Sequence, residues 1–293
     1  MIRVVVLGSG GAVPSPIRNL PSIAIRYMGN VYLFDCAEGT QRQMMKYKIS
    51  YGKVKGIFIS HLHPDHILGI PGLVYTLKMI GRKEELLIFG PKGTKKRIEN
   101  LIGNEVDFVK INEFEDENFE YKVEDARFYN FRTNHTNNSF GYVFEENAKR
   151  RFNKEKCKEL GIKGTMFRFL EENGFIEKDG KEIKIDEVTY IKPGRKISYT
   201  GDTYYCEEIV EKVKNSDLLF HEATFMEKDR EEAERDKHST VLDAARIAKM
   251  ANVKKLILFH ISNRYKNMNE ILEEGKKEFE NIYVGKDGME FLL

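Results

Sequence analysis

The chain has 293 residues, 41% of them apolar and 32% charged, with a formal net charge of +2. That length supports a large domain with a sizeable core. The near-neutral balance excludes a protein coated in positive charge to bind nucleic acid over its whole surface. Cys36, Cys157 and Cys206 are odd in number and far apart. This excludes a disulfide framework or a Cys-rich zinc site and reads as ordinary thiols in a reducing cytosol.

The opening residues, MIRVVVLGSGGAVP, read as a strand and a turn rather than a secretory leader. No apolar run approaches the roughly 20 residues of a membrane span, so a soluble, cytoplasmic protein without a membrane partner is expected. Strand-length runs rich in β-branched and aromatic residues follow at 4–7, 31–34, 57–59, 86–89, 196–199, 218–220 and 256–259. Helices are expected at 40–48, 71–80, 92–102, 240–251 and 267–279, with Ser239 capping the fourth. Strands and helices interleave, which makes an α/β chain. Polar residues stand just after most strands: Asp35, His61, Asp202, His221 and His260. Loops held by a rigid sheet are a common place for chemistry.

Residues 149–196 differ from the rest. They hold few apolar runs and 14 Lys and Arg against 9 Asp and Glu, with Phe152, Phe167, Phe169 and Phe175 interspersed. On composition this is either a solvated loop and helix excursion or an arm that grips a polyanion.

The densest chemistry is His61-Leu62-His63-Pro64-Asp65-His66. Imidazole nitrogens and carboxylate oxygens are the usual ligands of catalytic zinc. His61 and His63 are two apart, so an extended backbone points both to one side. The remaining histidines also lie in short polar motifs: His135 in Thr-Asn-His-Thr, His221 in His-Glu-Ala-Thr, His238 in His-Ser-Thr, and His260 after a strand. Asp202, in Tyr-Thr-Gly-Asp-Thr, has the two oxygens needed to bridge two cations. Spacing alone does not bring His135, Asp202 and His260 to the cluster. Two other motifs fail. Gly8-Ser9-Gly10-Gly11 lacks the third glycine of a dinucleotide fingerprint, and the fifth residue of the segment that His221-Glu222 opens is Phe225 rather than histidine.

HLHPDH is similar to the HxHxDH signature of the metallo-β-lactamase superfamily. The following ILGIPGLVYTL, residues 8–14 and 34–41, the His-Glu-Ala-Thr and His-Ser-Thr motifs and FHISNRY at 259–265 together resemble the ribonuclease Z family. The resemblance implies an αββα metallo-β-lactamase sandwich at 1–293, with a flexible basic exosite arm inserted at about 149–196. It implies two Zn²⁺ per subunit. His61, His63 and His135 would hold one, Asp65, His66 and His260 the other, and Asp202 would bridge them. Asp35 would orient the ligand loop, and His221 would brace its motif. Asp65 would handle the proton of the attacking water. His238, paired with Glu222, would be the acid for the leaving oxygen. The implied substrate is precursor tRNA, cut to leave a 3′-hydroxyl on the tRNA and a 5′-phosphate on the trailer, by a homodimer whose arm serves the partner's site.

Two motifs depart from the family. Pro14-x-Pro16-x-Arg18-Asn19 carries Pro16 where the family has lysine, with Arg18 and Asn19 as expected substrate contacts. Gly164-Thr165 stands where the arm has Gly-Pro. A small-substrate phosphodiesterase, arylsulfatase or lactonase of the same superfamily is the main alternative, and an RNA-binding protein with a dead site is the third. The basic insertion argues against the former, and the complete ligand set argues against the latter.

Overall fold

The computed structural model describes residues 1–103 and 106–293. Their contacts divide into two compact units: Met1–Phe144 with Lys196–Leu293, and Glu145–Arg195.

In the larger unit two seven-stranded sheets stack face to face. The first runs Glu290–Leu292, Arg3–Gly8, Ser22–Tyr27, Asn30–Phe34, Val54–Phe58, Leu86–Pro91, Val109–Phe114. The second runs Ile282–Val284, Leu256–Phe259, Leu218–Glu222, Lys196–Tyr199, Phe140–Glu146, Ala126–Arg132, Glu120–Val123. Side chains alternate across each strand. Val4 and Val6 enter the layer between the sheets, while Val5 and Leu7 face helices. Ile257 and Phe259 point inward, and Leu256 and Leu258 outward. Both faces being covered explains why the strands read as unbroken apolar runs.

Helices close both outer faces. Ile70, Leu73, Val74 and Leu77 of helix Gly69–Met79 and Ile98 and Ile102 of Thr94–Ile102 cover the first sheet. The spacing i, i+3, i+4, i+7 is one helical stripe. Val241, Ala244, Ala245 and Ala248 of Val241–Met250, with Ile271 of Met268–Lys276, cover the second. The layer order is therefore αββα. Between the sheets lies an aromatic core, with Phe58 on Phe128 at 4.3 Å and Tyr199 stacked between Phe34 and Phe259 at 5.4 and 4.8 Å.

Several expected bounds shift. The strand expected at 57–59 is Val54–Phe58, and the helix expected at 71–80 starts earlier, at Gly69. Ser239 is not the cap. Thr240 Oγ1 accepts from the Asp243 N–H, and the Asp243 carboxylate accepts from the Thr240 N–H, a reciprocal capping box. Ser239 Oγ instead donates to the Thr203 carbonyl.

The smaller unit is more ordered than its composition suggests. It contains paired strands Lys149–Phe152 with Thr189–Lys192, a hairpin Phe175–Lys178 with Lys181–Lys184, and helices Lys154–Glu159 and Met166–Asn173. Cys157, Ile162, Leu170, Ile176, Ile183 and Val188 form its own small core. These apolar residues are scattered among charged ones, so no strand-length run announces them. With the unit's observed bounds, which take in Glu145 and Glu146 and leave out Lys196, it holds 13 Lys and Arg against 11 Asp and Glu. The basic excess is therefore a matter of distribution rather than total.

Candidate metal centre

Leu218–Glu222 runs parallel to both Lys196–Tyr199 and Leu256–Phe259, so the three strands end at one edge. Asp202, Glu222 and His260 stand at those ends. In the first sheet Val54–Phe58 runs parallel to Asn30–Phe34 and delivers His61 and Asp35 likewise. Clefts outside the carboxyl ends of parallel strands are a natural place for a site.

All seven expected ligands meet there. Candidate ligand atoms of His61, His63, His135 and Asp202 lie within 4.8 Å of one another, as do those of Asp65, His66 and His260. Asp202 Oδ2 stands between the groups, 3.7 Å from His61 Nε2 and 4.0 Å from His135 Nε2 on one side. On the other it is 3.4 Å from His66 Nε2 and 3.3 Å from His260 Nε2. Asp65 Oδ2 approaches His66 Nε2 at 3.7 Å and His260 Nε2 at 3.4 Å. His63 and Asp65 are the more accessible members; His61, His66, Asp202 and His260 are buried.

The donor set fits divalent cations on a specific observation. His61 Nε2, His66 Nε2 and Asp202 Oδ1 are buried without a hydrogen-bond partner. Buried polar atoms are seldom left so, and the two ring nitrogens lie 3.7 and 3.4 Å from Asp202 Oδ2 in the cluster. The opposite ring nitrogens are engaged. His66 Nδ1 lies 2.7 Å from Asp35 Oδ2, His61 Nδ1 3.1 Å from Ser60 Oγ, His135 Nδ1 2.8 Å from the Lys237 carbonyl and His260 Nδ1 2.7 Å from Thr224 Oγ1. Such partners fix the ring orientation and leave the other nitrogen free to coordinate.

Besides the His66 ring, Asp35 has three further hydrogen-bond donors around it. It accepts from the Ser60 N–H and Ser60 Oγ at 2.7 Å each and from the Tyr199 hydroxyl at 2.6 Å. Asp35 and His260 both sit in the left-handed region, at φ 54° and 57°, a conformation costing about 1–3 kcal/mol that the surrounding bonds must hold. Gly11, in the failed dinucleotide motif, has a different task. A Cβ there would come within 2.5 Å of His260 Nδ1, so only glycine lets the ring lie against this backbone.

Charge is distributed to match. Burial, then the neighbouring His66, pushes His61 well down, so its ring is neutral. For His66 burial acts downward, but Asp202 and Asp35 more than offset it and push it well up. Burial opposes ionisation of Asp202, yet His260 and His66 hold it well below the usual carboxylate range.

Beside the cluster, His238 Nδ1 lies 2.7 Å from Glu222 Oε1. Burial disfavours the charged imidazole, but the Glu222 carboxylate outweighs it and raises His238 to about 9. A ligand atom of His238 lies within 4.8 Å of those of Asp202 and His260. His221 is buried, with Nδ1 2.8 Å from the Glu222 carbonyl, and burial pushes it down.

Arg18 and Asn19, expected as substrate contacts, are tied into their own loop. The Arg18 guanidinium is buried and donates to Ser9 Oγ and the Gly285 carbonyl at 2.8 and 2.6 Å. Asn19 Nδ2 donates to the Glu38 carbonyl, and its N–H to Asp287. The Arg18 guanidinium and the Asn19 amide nitrogen thus help to hold their loop. Ser60 and Thr224, which contact ligand rings, and Tyr199, which donates to Asp35, carry no sequence signal of that role, although Tyr199 and Thr224 lie inside motifs noted above.

An αββα sandwich with this His and Asp cluster at its strand-end edge defines a metallo-β-lactamase-fold protein with a divalent-metal site. The Bacillus subtilis metallo-β-lactamase-fold protein YhfI superposes with a TM-score of 0.75 at 18% identity, each chain covered completely. Human tRNase Z, short form, does so at 0.70 with 27% identity, covering 99% of this chain and 98% of that one. A family model described as Anti-Pycsar protein Apyc1 matches residues 2–163, and one described as a β-lactamase superfamily domain matches 182–261. Between them they span every candidate ligand. Ribonuclease Z of Sulfurisphaera tokodaii is 40% identical over 98% of this chain and 96% of its own length. The Methanosarcina acetivorans ribonuclease Z is also 40% identical, over 99% and 97%. The chain belongs to the ribonuclease Z family.

Proposed function

We propose that this chain is a two-zinc endoribonuclease that removes the 3′ trailer from precursor tRNA, leaving a 3′-hydroxyl on the tRNA and a 5′-phosphate on the trailer. The observation that carries the reading is the juxtaposition of two cation-sized donor groups around Asp202 with the hydrogen-bonded pair His238–Glu222 beside them. His61, His63 and His135 would hold one ion and Asp65, His66 and His260 the other, with Asp202 standing between the two groups. A set of five imidazoles and two carboxylates suits zinc.

Bound there, the ions polarise the scissile phosphate and bring the pKa of a water towards about 7. The chain's own groups do the rest. Asp65 Oδ2, held at 3.2 Å by the Ala12 N–H, is fixed at the more open side of the cluster and takes the proton of the attacking water. His238, kept cationic at neutral pH by Glu222, donates its proton to the leaving 3′-oxygen. Asp35 and His221 position the ligand loop and the Glu222 strand.

The smaller unit is the tRNA-gripping arm. Residues 149–168 hold eight Lys and Arg against two acidic residues, whereas 169–188 hold three against seven. A strongly basic stretch in the first half of a small folded unit suits a phosphate backbone. The working form is a homodimer in the cytoplasm, the arm of one subunit serving the other's site. Helix Gly69–Met79 supports this with Leu68, Tyr75, Met79 and Ile80 exposed along and around one flank, since an apolar patch of that kind marks an interaction surface. No helix among the described residues is long and apolar enough to cross a membrane.

The test is cleavage of a 3′-extended precursor tRNA by zinc-loaded protein, with both new ends mapped and bis-p-nitrophenyl phosphate as a small diester control. A single metal-dependent cut at the end of the acceptor stem, leaving the stated ends and lost in Asp65→Ala, is expected. Hydrolysis of the small diester with the precursor left intact would overturn the tRNA assignment and favour a small-substrate enzyme.

A further inference from the structure

We propose that Thr224 is a positioning residue whose single hydroxyl joins the acid pair Glu222–His238 to the metal ligand His260, so that the Glu222 charge supports metal binding at a site it does not touch. The inference rests on the metal-site reading above.

Thr224 Oγ1 lies 2.8 Å from Glu222 Oε2 and 2.7 Å from His260 Nδ1. A hydroxyl has one proton to give, and an ionised carboxylate can only accept. Glu222 is surrounded by donors alone. Its Oε1 faces the Thr203 N–H at 3.0 Å and His238 Nδ1 at 2.7 Å, and its Oε2 faces the Thr224 N–H at 3.0 Å and the Thr224 hydroxyl. The hydroxyl proton therefore goes to Glu222, and the Thr224 oxygen is left as an acceptor. His260 must then carry its proton on Nδ1. Its Nε2 lone pair is left facing Asp202 and Asp65, at 3.3 and 3.4 Å. A weaker contact to His238 Nδ1, at 3.3 Å, does not compete, because that nitrogen has the closer Glu222 oxygen.

The whole line is dry. Thr224 is 7% exposed and Glu222 and His260 less, so a charge at one end acts on the other with little screening. The link is also rigid. The Thr224 carbonyl accepts from the Ser262 N–H, just beyond His260, and Gly11 lies against the His260 ring. Partners of this kind, one bond behind a ligand, typically change metal affinity by 10–100-fold.

The experiment is zinc titration of the metal-stripped full chain against a fluorescent chelator, for native protein, Thr224→Ser, Thr224→Val, Glu222→Gln and the Thr224→Val/Glu222→Gln double variant. Thr224→Val is expected to weaken one of two sites about tenfold or more, and Thr224→Ser to restore it. Glu222→Gln should weaken the same site but add nothing in the Thr224→Val background, the mark of two residues acting through one path. Nitrogen-15 spectra of the metal-free chain should show His260 as the Nδ1–H tautomer in native protein and Thr224→Ser, and not in Thr224→Val. Native affinity in Thr224→Val, an undiminished Glu222→Gln effect in the double variant, or an Nε2–H His260 in native protein would overturn the proposal. A native chain that takes up no zinc would refute the metal reading instead, and the His260 tautomer would still decide the role of Thr224.

Discussion

The metal cluster and the smaller unit solve opposite problems. In the cluster, seven donors converge, most are buried, and the outward ring nitrogens of His61, His66, His135 and His260 each have a partner. In Glu145–Arg195 the charged residues are mostly exposed, and a core of only six buried apolar side chains holds the fold. Chemistry at a reacting centre tolerates little displacement, so it is built on packed strand ends. Recognition of a long polyanion needs many weak, forgiving contacts, so exposed Lys and Arg on a small scaffold are enough. The two regions should therefore respond to mutation in different quantities: rate for the first, affinity and salt dependence for the second.

The largest effect should come from the cluster. Asp65→Ala should lower kcat on precursor tRNA by about 10²–10⁴-fold, in the range removed with a general base, with KM much less affected. Steady-state kinetics check this; an equal rise in KM would place Asp65 in binding instead. His238→Gln should cost about 10²-fold or more on the same measure. In native protein the rate should fall as pH rises through about 9, where the His238 imidazolium loses its proton, and this limb should vanish in the variant. The same pair bears on stability. Because His238 is raised from 6.5 in the unfolded chain to about 9, its contribution is fully present below pH 6.5 and lost as pH climbs through 9. Melting of metal-free native protein against His238→Gln across that window reads it directly.

Replacing residues 149–192 with a short Gly-Ser linker should act next, on affinity. Lys149 pairs with Lys192, so the cut ends are neighbours and a short linker closes the gap. KM for precursor tRNA should rise, and the slope of log affinity against log salt should flatten by about 0.9 for each duplex phosphate that the protein no longer neutralises. Small-diester hydrolysis should persist. An unchanged salt slope would remove the unit from the tRNA interface.

Arg18 sharpens the contrast from another side. Its charge serves the fold, so Arg18→Ala should cost about 1.5–3 kcal/mol of stability, the worth of hydrogen bonds from a charged group, and lower the melting temperature. A variant with native melting but a raised KM would reinstate Arg18 as a substrate contact. Thr240→Ala should cost about 1 kcal/mol through loss of the helix cap, by denaturant unfolding, with kinetics near native.

What is legible in the sequence follows the same division. His61, His63, Asp65 and His66 are contiguous, and their chemistry leaves few alternatives. The long-range members His135, Asp202 and His260 carry no local signal beyond their motifs, and it is the family resemblance that joins them. Strands such as Ser22–Tyr27 and Ala126–Arg132 escape notice because Arg26, Arg127 and Asn130 interrupt their apolar pattern. The core of the smaller unit is hidden because Cys157, Leu170 and Val188 are far apart in the chain and meet only in three dimensions. The burial of Arg18 and its bond to the Gly285 carbonyl are likewise invisible in the sequence, because Gly285 lies far along the chain.

The most direct test of the central claim is anomalous diffraction at the zinc edge from crystals of the zinc-loaded chain. Two peaks are predicted, one bounded by His61, His63 and His135, the other by Asp65, His66 and His260, with Asp202 touching both. A single peak, or zinc bound away from Asp202, would contradict the account.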